Sequence, residues 1–415
     1  MRNFLLKICW LLLLLPAIAK AQTSPNFPYS ALGIGEIQYN IPGQLDGMGN
    51  ATTAMRSYDY LNNTNPAAFS ALLNQSFIME ISGSGKSSSI VSNGESAHSS
   101  DFDFSKLAVG FKIGKFWGTS LGLLPLSSVN YYIVNQQPAD GSQGNVNSIF
   151  EGNGGLHQFY WGNGFRIGKY FSVGIQAAYV FGSINQTEKV GADPENPLIS
   201  ATEQTYLHNL RLSYGLQFFH PLNKNWDITV GATYLSRRDL RAEYQTTIIE
   251  NGDTVLQDDV TKSNYFTLPE QYRAGLAFTY NKKLTIAGDY TFEKWSPLQI
   301  KGNNVKLVNS HRYGLGVEWS KKDVSYKNTL LDRMILHAGF SYNQSYIQLS
   351  GQQINDVNGS IGIGIPSKKR NMSVNLGLTI GQQGTLGRNA FLENYTQFNC
   401  SVILRDLWFI KRKYN

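Results

Sequence analysis

Tyr272 to Tyr280 reads YRAGLAFTY. In an extended chain Tyr272, Ala274, Leu276, Phe278 and Tyr280 fall on one face, and Arg273, Gly275, Ala277 and Thr279 on the other, because side chains alternate at period two. The pattern recurs. Phe171, Val173, Ile175, Ala177, Tyr179 and Phe181 form one apolar face; Met372, Val374, Leu376, Leu378 and Ile380 form another, against Ser373, Asn375, Gly377 and Thr379. Aromatic residues stand at the strand ends, as in Phe171 and Phe181, Tyr272 and Tyr280, Trp226 and Tyr234, where the two interfacial girdles of a membrane barrel lie. A soluble β-sandwich also alternates, but with strands of about 5–6 residues and similar loops at both ends. Here the runs are about ten residues long, the length of a tilted membrane-crossing strand.

The connections support the same choice. Short turns fall at Gly114-Lys115, Gly168-Lys169, Asn281 to Lys283 and Pro366 to Arg370. Long polar loops are expected at Gly85 to Asp103, Asn130 to Leu156, Ile184 to Thr205, Asp239 to Glu270 and Lys294 to Ser310. Short periplasmic turns alternating with long outer loops mark an outer-membrane barrel. Up-strands begin near Gln75, Phe116, Tyr170, Trp226, Leu284, Met334 and Asn371, and down-strands near Phe104, His157, Tyr206, Gln271, His311, Val357 and Tyr395. The reading is therefore an all-β, transmembrane antiparallel barrel of about 14 strands over residues 75–415, with both chain ends in the periplasm and a short C-terminal tail there. The last strand, Tyr395 to Leu404, turns Phe398, Cys400, Val402 and Leu404 outward and leads into Leu407-Trp408-Phe409 and the basic Lys411-Arg412-Lys413.

Composition agrees. Of 415 residues only 16% are charged, below the roughly 25% of an ordinary globular chain, while 23 Tyr, 22 Phe and 40 Gly stand out. Met1 to Ala21 has a positive start at Arg2 and Lys7, an apolar run from Ile8 to Ile18, and a small-x-small site at Ala19-Lys20-Ala21, the features of a secretory signal peptide that leaves Gln22 first. The run is shorter than the ~20 residues of a spanning helix. Losing the three cations Arg2, Lys7 and Lys20 takes the net charge from +7 to +4, too little to suggest nucleic acid. Cys400 remains as the one cysteine of the mature chain, so no intrachain disulfide forms.

Residues 22–74 alternate little and carry Gly33, Gly35, Gly43, Gly47 and Gly49, as a plug in a barrel lumen would; a disordered periplasmic tail is the alternative. Within them Leu45 to Ala68 reads LDGMGNATTAMRSYDYLNNTNPAA, with a glycine pair at Gly47 and Gly49, a small-residue run, and Asn65-Pro66-Ala67 just ahead of the first strand. This resembles the N-terminal hatch of the FadL/TodX family, the outer-membrane transporters of long-chain fatty acids and aromatic hydrocarbons. The resemblance implies a fourteen-stranded barrel plugged by its N-terminal residues, in the outer membrane of a Gram-negative bacterium. It implies passive uptake, with a hydrophobic molecule caught by outer loops and released sideways into outer-membrane lipid through a kink in the third strand. Gly118, Gly122 and Pro125, which weaken a ladder, are the candidates for that opening. Pro66 fixes φ and biases Asn65 toward an extended shape.

A fatty acid implies a site for its carboxylate. Arg211, Arg273 and Arg312 point into the lumen by alternation, and guanidinium can hold a carboxylate with two parallel hydrogen bonds. The competing expectation pairs them with the lumen acids Asp289, Glu293 or Glu318. No cofactor and no catalytic group is expected: the six His show no paired metal spacing, there is no G-x-S-x-G, and His337 with Ser341 reads as lumen packing. Two other classes stay open, a general porin and a structural or secretion-associated barrel that docks a protein partner.

Overall fold

The computed structural model describes residues 28–39, 43–92, 94–138, 145–191, 198–298, 306–321, 329–349, 351–384 and 391–407. The signal peptide, Gln22, Trp408-Phe409 and Lys411–Lys413 lie outside them. Among the described residues fourteen antiparallel strands close one barrel. They are β1 (Ser76–Ser92), β2 (Glu95–Lys112), β3 (Trp117–Pro138), β4 (Asn145–Ile167), β5 (Phe171–Gly191), β6 (Ile199–Pro221), β7 (Trp226–Leu235 continued by Arg238–Glu250), β8 (Asp253–Leu268 continued by Gln271–Tyr280), β9 (Leu284–Glu293), β10 (Ser310–Ser320), β11 (Ile335–Leu349), β12 (Gln352–Pro366), β13 (Met372–Gly384) and β14 (Leu392–Leu407). The β14–β1 seam pairs from Leu392↔Val91 to Leu407↔Ser76.

The alternation sets which face meets lipid. Phe171 and Ile175 are exposed, whereas Ser172 and Gln176 are buried toward the lumen. Outward aromatics line up across strands. Tyr214, Tyr234 and Tyr272 form one row, with ring centroids 6.3 and 5.1 Å apart, and Trp226 and Tyr280 form part of another at 4.9 Å. The two rows sit eight residues apart on β7, roughly 20 Å across a tilted wall.

Strand starts at the short-turn end fall within one residue of their sequence positions, but the outer ends do not. β3 to β6 run 22, 23, 21 and 23 residues, whereas β9 and β10 run 10 and 11. Most of the loops expected at Gly85 to Asp103, Asn130 to Leu156, Ile184 to Thr205 and Asp239 to Glu270 are therefore wall. Stretches such as Ser84–Ser89 are polar on both faces, so period two leaves no hydrophobic trace there. Asn251-Gly252, with φ of 50° and 92°, closes β7 onto β8 as a two-residue hairpin.

Both ends are expected at the short-turn side; the ends themselves lie outside the described residues, and the first residues described do not follow that expectation. Pro28–Ala31, a 3-10 turn, packs at the opposite, outer end, where Ser30 Oγ donates to Asn130 O at 3.2 Å and Tyr29 Oη accepts from Phe391 N at 3.0 Å. Ile34 joins Leu156, Leu207, Leu240, Trp295 and Tyr346 in an apolar cluster that fills this end. Burial of that apolar surface outweighs any local preference of a polar-flanked leader. The chain then descends through the lumen and enters β1 at the short-turn end.

Candidate functional site

The lumen segment 43–72 lies against the wall where side chains are missing. Gly118, Gly164, Gly174 and Gly215 are direct cross-strand neighbours on β3, β4, β5 and β6. A Cβ on Gly118 would fall on the Phe69 carbonyl, on Gly164 or Gly174 against the Pro66–Ala67 backbone, and on Gly215 against the Asn65 amide. The 3-10 helix Pro66–Ala71 occupies this trough. Asn65 is fully buried and caps it: Oδ1 accepts from Ala67 N at 3.1 Å, and Nδ2 donates to Thr53 O at 3.0 Å and Leu216 O at 3.1 Å. Gly47 and Gly49, with φ of 90° and 55°, lie on the backbone of β10 to β12, a close approach in a conformation that L side chains rarely adopt.

The three expected arginines come together in one region of the lumen, but in different company. Arg211 staples the breaks in β7 and β8, its Nε donating to Ser236 O at 3.0 Å and its Nη2 to Pro269 O at 2.6 Å. Arg312 lies 3.5 Å from Glu293 Oε1 and stacks on Tyr39 with its Cζ 3.4 Å from the ring centroid. Arg273 stands level with Arg312, both opposite Thr291, and its Nε makes no hydrogen bond. The acids divide likewise. Glu293 also accepts from Trp295 Nε1 at 2.8 Å; Asp289 Oδ2 accepts the lumen-segment amides of Thr52 and Thr53 at 2.9 and 2.7 Å; Glu318 lies 3.3 Å from His337 Nε2. The voids around these groups measure about 50, 100 and 110 Å³.

The wall is incomplete beside β3. Its ladder with β2 runs from Lys112↔Gly118 to Leu107↔Leu123 and ends there, while β3 stays paired to β4 as far as Pro138, with a register shift between Pro125 and Ser127. Gly118 and Gly122 lie in the fully paired part, and Pro125 lies at the break. Above the break the two-residue strand Glu36–Ile37 adds to the free edge at Ser128 and Ser127. Lys86 Nζ on β1 meets Glu36 Oε1 at 3.3 Å and Glu393 Oε1 on β14 at 2.9 Å. Outside this patch, Asp101, Asp103, Tyr131, Tyr132 and Glu151 line a cavity of about 550 Å³. Neither Glu36 nor Lys86 carries a sequence signature; only the edge-weakening Pro125 could have pointed to the break.

Fold and site together define a fourteen-stranded antiparallel barrel of the outer-membrane type, with a segment of its own N-terminal residues in the lumen. The BamG family model matches residues 1–415, and the chain belongs to the BamG family. Among solved structures, it is similar to a Pseudomonas aeruginosa FadL homologue, with TM-score 0.60 and 11% identity over 90% of this chain and 100% of that one. It is also similar to the Pseudomonas putida toluene transporter TodX, with TM-score 0.58 and 16% identity over 90% and 100%. The Ralstonia pickettii toluene transporter TbuX gives 0.56 and 13% over 89% and 100%. At these identities the shared property is the fold; the resemblance to FadL/TodX holds at that level, under a different family name. No curated protein matches by sequence.

Proposed function

We propose that this protein is a hatch-plugged outer-membrane channel that passes a hydrophobic molecule down its gradient and releases it sideways at the β2–β3 break. The break carries the reading: among the described residues the β3 edge beyond Leu123 has no β2 partner and is covered by Glu36–Ile37, which leaves an opening in the wall at the outer rim of the bilayer. Residues 22–74 act as the hatch, with Gly47, Gly49 and Asn65-Pro66-Ala67 as its seat. Arg273, whose Nε lacks a partner, is the candidate for a polar head group, with Arg312 beside it and Arg211 as a scaffold. The test is uptake of toluene and of oleate into cells or proteoliposomes carrying the wild type, Glu36→Gln, and the double variant Arg273→Ala/Arg312→Ala. Faster uptake in Glu36→Gln supports the Glu36–Lys86 pair as what holds Glu36–Ile37 over the break; loss of oleate uptake alone in the double variant supports a carboxylate site. No uptake by the wild type of either compound overturns the proposal.

A second reading, a barrel that docks a protein, is favoured by the void sizes. Among the described residues the voids around Arg211, Arg273 and Arg312 measure about 50 to 110 Å³ and are lined in large part by Arg, Glu and Asn side chains. Recovery of a stoichiometric partner with an uptake-silent barrel would select it.

A further inference from the structure

At the short-turn end, below the hatch, a cavity of about 660 Å³ opens toward the periplasm. Arg56, Arg166 and Lys169 stand on one side, and Arg333, Arg370 and Arg405 on the other, with Lys282 also lining it. Its acids are Asp59, Asp227 and Glu318, so cations outnumber them seven to three. Glu318 faces His337, and Asp59 lies 3.9 Å from Arg405.

The cations on the hatch side are held by neutral groups. Arg56 donates to Ala67 O, Ser172 Oγ, Gln217 Oε1 and Ser70 Oγ at 3.0 to 3.4 Å. Arg166 donates to Lys169 O at 3.0 Å, and both guanidiniums stack on Phe219, 4.2 and 5.4 Å from its centroid. Across the cavity Arg333 donates to Pro366 O at 2.8 Å, and its Nε has no partner. Among the described residues none of these three has a carboxylate within 4 Å. Like charges in a concave, protein-walled space focus a positive potential. Tyr58 and Tyr170, both exposed, and Ile228 supply apolar wall between them.

We propose that this basin docks an acidic segment of a periplasmic protein, its carboxylates on Arg166 and Arg333 and an apolar side chain against Tyr58 and Tyr170. A lipid head group fits less well, because the basin lies inside the ring of strands rather than on the bilayer face. Its volume and mixed lining exceed what one phosphate needs. Because Arg56 belongs to the hatch, an occupant would also touch the element that closes the lumen. The inference is independent of transport, since it concerns binding alone.

The test is fluorescence anisotropy on the detergent-solubilised full barrel, with a labelled decapeptide alternating Asp or Glu with Leu. Its Asn/Gln counterpart serves as control. Binding should favour the acidic peptide, weaken with salt, and fall ~tenfold or more in Arg166→Ala/Arg333→Ala. Retained heat-modifiable migration shows that the variant is folded. Should the double variant not fold, Lys169→Glu and Lys282→Glu provide the same reading from the rim. Equal binding of both peptides, or affinity indifferent to these substitutions, overturns the proposal. Full displacement by millimolar inorganic phosphate would also overturn it, by assigning the basin to a small anion.

Discussion

Lys86 and Glu36 lie 3.3 Å apart and join the N-terminal segment to the first barrel strand, beside the part of the wall where β2 and β3 have no ladder. The same Nζ reaches Glu393 at 2.9 Å and stands 4.9 Å from the centroid of the Tyr395 ring. One cation thus holds a half-exposed carboxylate and a buried one.

That inequality gives the first prediction. Glu36→Gln removes a solvent-screened partner and should change barrel stability by less than ~1 kcal/mol. Lys86→Ala leaves Glu393, 1% exposed, as a buried unpaired anion, at a cost of about 3–5 kcal/mol. The temperature at which the folded band disappears on a semi-native gel should therefore drop far more for Lys86→Ala. Equal drops would mean that Glu393 is not held by this lysine.

The glycine trough gives a second. In Gly174→Val the added side chain meets the Pro66–Ala67 peptide. The barrel should still insert, but conductance in a planar bilayer should rise as the hatch loses its seat. Gly359, with open space where its Cβ would be, supplies the control: Gly359→Val should conduct like the wild type. A silent Gly174→Val would place the barrier elsewhere.

Asn65→Ala should loosen the same seat without adding bulk. It strips the cap from Ala67 N and the Asn65 donor from Leu216 O, while Thr53 O keeps Gln217 Nε2 at 3.2 Å; losing the buried cap costs about 1–3 kcal/mol. New cleavage by an added protease within residues 43–72 should appear, with the barrel core still protected.

Asp46 makes the hatch pH-sensitive. It belongs to the lumen segment, and burial raises its carboxyl to about 8, with Glu80 adding to the rise and Gly43 N–H and Lys106 opposing it. Cys400 is a further titratable group near it, and the His337 side chain adjoins the Gly362 face on which Asp46 lies. A carboxyl raised in the packed state binds its proton there but not when released, where its value is near 3.9. The stabilisation is present below about pH 4 and is lost as the pH climbs through about 8. Conductance should rise between pH 5 and pH 9, and Asp46→Asn should flatten the rise. A profile identical in the variant would remove Asp46 from the account.

What the sequence discloses follows the bilayer. Where lipid demands an apolar face, as from Gln271 to Tyr280, the strand is legible to the residue. Past the outer girdle, water accepts either face, and Ser84–Ser89 carries no period; there the Asn-Gly pairs at 93–94 and 251–252 were the usable signal. The inward direction of Arg211, Arg273 and Arg312 was readable from alternation alone. Their partners were not, because Ser236, Pro269, Glu293 and Tyr39 reach them only through register and through a segment distant in sequence. Arg56 gave no sign at all, since its surroundings on β5 and β6 are made by the trough.

The course of the N-terminal segment also orders assembly. Pro28–Ile37 is anchored at the outer end, and the next described residues descend through the lumen, where the voids around Arg211, Arg273 and Arg312 measure about 50 to 110 Å³. A wall already zipped along Leu392↔Val91 to Leu407↔Ser76 would have to be threaded by a polar chain through that space. Closing the seam last avoids that threading, so the expected order of assembly has the lumen segment in place before β14 meets β1.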